Sequence, residues 1–100
     1  MNRAEILQAA HTCVCGEREH DYGRPEDSFE TIGPMWSVYL NAAHPEYIKA
    51  FPLNGIGAKD VASMMVLLKL ARIAAGDKED NFVDLAGYAA CAGEIAGGKA

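Results

Sequence analysis

The chain has 100 residues, half of them hydrophobic, and a formal net charge of -5. That length suits one domain, and residues 1–100 are read as one. The acidic balance argues against wrapping nucleic acid by phosphate neutralisation. No apolar run reaches the ~20 residues that cross a bilayer.

The first predicted element is a helix from Asn2 to about Cys15, with Ile6, Leu7, Ala10 and Val14 at helical spacing. Asn2 is placed to cap it, Glu5 completes a capping box, and Gly16 ends it. The N-terminus lacks the apolar stretch of a signal peptide, so a soluble cytoplasmic protein is expected. Cys13, Cys15 and Cys91 are then free thiols. His11-x-Cys13-x-Cys15 does not make a zinc site, because residues 13 and 15 point apart on a helix and the common Cys-x-x-Cys spacing is missing.

The polar stretch from Glu17 to Arg24 reads as a loop. A second helix starts at Pro25, carrying Phe29, Ile32, Trp36 and Tyr39 or Leu40 as its apolar stripe. Gly33-Pro34 predicts a kink or break within it. Residues 42 to 57 form a connector punctuated by proline and glycine, with room for one helical turn around Glu46 to Ala50. A third helix, about Ala58 to Ala75, is apolar on so many sides that it must be central, and a dimer or higher oligomer is expected. Asp60 starts or caps it. After a short turn, a fourth helix runs from about Asp80, its N-cap, to Ile95. Its glycines, Gly87 and Gly93, offer close approach to another helix. The fold class is all-α: about four helices in a compact bundle, completed by oligomerisation.

The chemistry concentrates on the last two helices, which the short turn makes antiparallel neighbours. Counting outward from the turn puts Arg72 level with Asp84, and Lys69 near Tyr88. Asp80, Asp84, Tyr88 and Cys91 share one face of the fourth helix. Two readings follow. In one, Arg72 and Asp84 form a register-fixing ion pair while Lys69 snorkels to water. In the other, Asp80 and Asp84 converge on a hard cation such as Mg²⁺, Asn81 adds an amide, and Lys69 or Arg72 meets a phosphate. Glu26, Asp27 and Glu30 divide in the same way, between helix-dipole partners and further metal ligands.

Three ordered segments carry a resemblance. They are Tyr22-Gly23-Arg24-Pro25-Glu26-Asp27-Ser28-Phe29, the run from Asp60 to Arg72, and the run Asp80-Asn81-Phe82-Val83-Asp84-Leu85-Ala86-Gly87-Tyr88-Ala89. Together they resemble a family of small phage and prophage proteins. More remotely they are similar to MazG-type all-α nucleoside triphosphate pyrophosphohydrolases and to phage nucleotide-modification-associated domains. The resemblance implies a homo-oligomeric bundle that hydrolyses a nucleoside triphosphate to the monophosphate and pyrophosphate with Mg²⁺. It implies that Glu26, Glu30, Asp80 and Asp84 hold the metal and that Lys69 and Arg72 stabilise phosphate charge. Tyr22 would stack on a base, or Tyr88 bond a phosphate or sugar oxygen, with Asn81 beside them. MazG-type enzymes carry Glu-Glu-x-x-Glu and later Glu-x-x-Asp; this chain has Glu26-Asp27-x-x-Glu30 and Asn81-x-x-Asp84. The departures keep open a second class, a catalytically inactive helical module that binds a nucleotide or a protein partner.

Overall fold

The computed structural model describes residues 1–16, 25–48 and 55–98. It contains α1 (Arg3–Cys15), α2 (Pro25–Ala43), a single turn α3 (Pro45–Ile48), α4 (Ala58–Ala75) and α5 (Glu79–Ala96). No strand occurs among the described residues, so the architecture is all-α.

Helix ends follow local chemistry. Asn2 Oδ1 accepts from the Glu5 backbone N–H at 2.8 Å, and Glu5 Oε1 accepts from the Asn2 N–H at 3.0 Å. This reciprocal box satisfies two donors that would otherwise be orphaned. At the start of α4, Asp60 Oδ2 accepts from the Gly57 N–H at 3.0 Å. The same helix ends with the Gly76 N–H donating to Arg72 and Ile73 carbonyls. One expected cap is corrected: α5 begins at Glu79 with Lys78 in the cap position, and Asp80 lies inside its first turn. There its charge favours the positive end of the helix dipole.

Of the kink or break expected at Gly33-Pro34, the break does not occur. A single helix runs from Pro25 to Ala43 through Pro34. Proline removes only the bond to the carbonyl of Glu30, and both residues are exposed, where water can satisfy that carbonyl. Gly33 is buried on another side of the helix, against the backbone of Ile56. The Ser37 hydroxyl, also buried, donates to the Gly33 carbonyl at 3.2 Å. Of the alternatives for the stripe, Leu40 packs on the core and Tyr39 faces solvent.

Helices α4 and α5 form an antiparallel hairpin through the turn at residues 76–78, and theirs is the most extensive helix pairing among the described residues. Helix α1 lies along α5 in the same direction. The Met1 amine pairs with Glu79 near one end, and Val14 meets Gly87 two turns on. Helix α2 packs on α4 and reaches α5 through Phe29 and Tyr88, whose rings lie 6.1 Å apart and tilted by 48°. The core between them consists of Phe29, Ile56, Val61, Ala62 and Cys91. Val61 and Ala62 are fully buried. Helix α4 is central on that face only; Met64, Leu67 and Leu70 are exposed. Gly87 supplies the close approach expected of it, whereas nothing lies within 4 Å of a Cβ built on Gly93.

Candidate functional site

The α4–α5 seam holds one interhelical ion pair, and its cation is Lys69. Lys69 Nζ lies 3.0 Å from Asp84 Oδ2, with the lysine side chain 13% and the aspartate 32% exposed. The expected partner, Arg72, is exposed. Register explains the exchange. Lys69 is six residues from the end of α4 at Ala75, and Asp84 is five from the start of α5 at Glu79. Starting α5 at Glu79 rather than Asp80 slides its residues toward Lys69. Lys69 also shares the inward side of α4 with Ala62 and Met65, so its stem is covered while its ammonium meets the carboxylate.

Around this pair the other candidates take different positions. Tyr88, one turn beyond Asp84, is half-buried and anchored by the Phe29 ring. Asn81 is half-buried; Asp80, Arg72 and Glu30 are exposed. Tyr22 and the Glu26 side chain lie outside the described residues. Phe29, read from sequence as a core residue, also lies against the Tyr88 ring, and only its place in the Phe29-to-Leu40 stripe hinted at this.

The carboxylates of Asp80 and Asp84 are hard oxygen donors of the type Mg²⁺ takes. Asp84 is already engaged by Lys69, however, and no three His, Cys, Asp or Glu side chains gather into a metal-holding group among the described residues. Glu30, Asp80 and Asp84 are therefore not assembled there. The side chain of Glu26, the fourth expected ligand, lies outside the described residues, and the magnesium set remains a proposal.

The pair has a measurable consequence. Asp84→Asn leaves a mostly covered ammonium without its counter-charge, and should cost about 1–2 kcal/mol in a urea melt. Arg72→Gln, at an exposed position, should change stability by less than about 0.5 kcal/mol. A loss for Arg72→Gln as large as that for Asp84→Asn would contradict the observed pairing.

The chain belongs to a family described as a domain of unknown function, DUF6378, whose profile matches residues 5–96. It is similar to the Gene 55 protein of Mycobacterium phage D29, with 36% identity over 91 residues, covering 90% of this chain and 52% of that protein. It is also similar to the Gene 55 protein of Mycobacterium phage L5, with 35% identity over 85 residues, covering 84% of this chain and 47% of that protein. The chain thus spans about half the length of these relatives. No solved structure matches it. Among the described residues no helix is long and apolar enough to cross a membrane.

Proposed function

We propose that this phage-related all-α domain handles nucleoside triphosphates at the α4–α5 seam, hydrolysing them to the monophosphate and pyrophosphate in the manner of MazG-type proteins. The observation that carries the reading is the gathering of Lys69, Asp84 and Tyr88 on facing helices, with Tyr88 held by Phe29 from a third helix. Arg72, Asp80 and Asn81 border this group at the end nearer the turn. Lys69 and Arg72 offer cationic donors to phosphate oxygens. Tyr88 offers a hydroxyl to a sugar or phosphate oxygen. Mg²⁺ enters through the family resemblance, which assigns it to Glu26, Glu30, Asp80 and Asp84. The reading also holds that the protein works in the cytoplasm as a homo-oligomer, without membrane or nucleic acid.

The test is pyrophosphate release from a panel of deoxynucleoside and ribonucleoside triphosphates, with and without Mg²⁺. Turnover of at least one, dependent on Mg²⁺, is expected. Neither turnover nor Mg²⁺-dependent nucleotide binding by calorimetry would reject the idea. One observation favours the second reading, a module that binds without hydrolysis. Asp84, the acid that maps best onto the MazG pattern, is neutralised by Lys69. Under that reading calorimetry shows nucleotide binding while no pyrophosphate appears.

A further inference from the structure

The Lys69–Asp84 pair is unequal in depth. The lysine side chain is 13% exposed and the aspartate 32%, with Nζ 3.0 Å from Oδ2. A lysine on a helix ordinarily carries its ammonium outward to water along an apolar stem. Here the cation is the inner member and the carboxylate the outer one. A mostly covered ammonium needs an anion beside it, because alone it is a buried charge without compensation. The anion that meets it from the solvent side can be exchanged, since a displaced Asp84 returns its carboxylate to water at little cost.

The surroundings indicate which anion suits the place. Arg72 follows Lys69 by one turn on the same side of α4, is exposed, and pairs with no acid among the described residues. At i and i+3 the two cations stand close enough for one ligand to touch both. Asp84 meets only Lys69. Two linked phosphates present charged oxygens over a longer span than one carboxylate does, and so can engage the ammonium and the guanidinium together. The opposing charge is Asp80, one turn from Asp84. It is exposed, so water and salt screen its repulsion of an incoming anion.

We propose that Asp84 is a built-in competitor of phosphate for Lys69: a pyrophosphate group takes its place, bridging Lys69 and Arg72, while Asp84 turns to water. This rests on the reading above that the seam meets a nucleotide's phosphates, and it names the group that they displace. The neutralised Asp84 is then freed by the ligand itself. The two ideas fail separately. Exchange without turnover describes a module that binds, and turnover without exchange describes a nucleotide whose phosphates meet other residues.

Inorganic pyrophosphate, without metal and at constant ionic strength, is the probe for the full chain. By calorimetry Asp84→Asn should bind it roughly tenfold more tightly than the wild type, because the competitor is gone. Adding Lys69→Met to Asp84→Asn should remove that gain, and adding Arg72→Gln should remove part of it. Asp77→Asn deletes an exposed acid in the turn without touching Lys69, and should change affinity by less than about twofold. In urea melts pyrophosphate should raise the midpoint of Asp84→Asn more than that of the wild type. A second measurement uses the wild type alone: the nitrogen-15 resonance of the Lys69 ammonium should move as pyrophosphate is added, and not with chloride. A gain for Asp84→Asn no larger than that for Asp77→Asn would overturn the proposal. So would a gain that survives Lys69→Met, or a Lys69 resonance indifferent to millimolar pyrophosphate.

Discussion

Phe29→Ala is expected to lower the melting temperature by about 15–25 °C. Phe29 is 5% exposed and lies in the core beside Val61, Ala62 and Cys91, with the Tyr88 ring against it. Truncating a buried phenylalanine costs about 3–4 kcal/mol, part lost transfer energy and part cavity. For a domain near 100 residues each kcal/mol moves the midpoint by roughly 4–8 °C. The effect is a large share of a total stability of about 5–15 kcal/mol. It also bears on the site, because the same ring holds Tyr88 and ties α2 to α5. Phe82→Ala, at a position 37% exposed on α5, should cost under about 1 kcal/mol. Equal losses for the two phenylalanines in thermal melts would contradict the described core.

Gly33→Ala is expected to destabilise by about 1–3 kcal/mol, although alanine is the better helix former by up to about 1 kcal/mol. A Cβ on Gly33 would sit 2.4 Å from the Ile56 carbonyl oxygen and 3.2 Å from its carbon. The obstacle is backbone, so relief requires moving the segment before α4 away from α2. The same substitution at Gly93, with open space around its Cβ, should stabilise by up to about 1 kcal/mol, since only propensity changes there. Opposite signs in paired urea melts are the expected result. A stabilised Gly33→Ala would show that the α2–Ile56 contact is looser than described.

Both experiments concern contacts that local pattern reading reaches unevenly. The capping box at Asn2 and Glu5, the Asp60 cap and the bounds of α4 were legible, because each depends on residues within one or two turns of each other. The absence of a break at Pro34 was not legible, for the opposite reason. Its cost is local, but whether it breaks the helix depends on where the freed carbonyl faces, and water on that side lowers the cost of the lost bond while the ring clash with the preceding turn remains. The ion pair misled by a single residue of helix start, which moved Asp84 from Arg72 to Lys69. In an antiparallel hairpin such an offset changes which side chains are level.

The amino-acid sequence by itself determined an all-α chain, its helix bounds to within a residue or two, and the concentration of charged chemistry on the last two helices. Those properties follow from periodicity, caps and turns, which act over short distances. Only the tertiary structure decided which cation meets Asp84, that Phe29 lies against Tyr88, and that one side of α4 faces water. Each of these depends on the register and rotation of one helix against another. Those are set by shape and burial across the core, where a shift of one residue changes every partner.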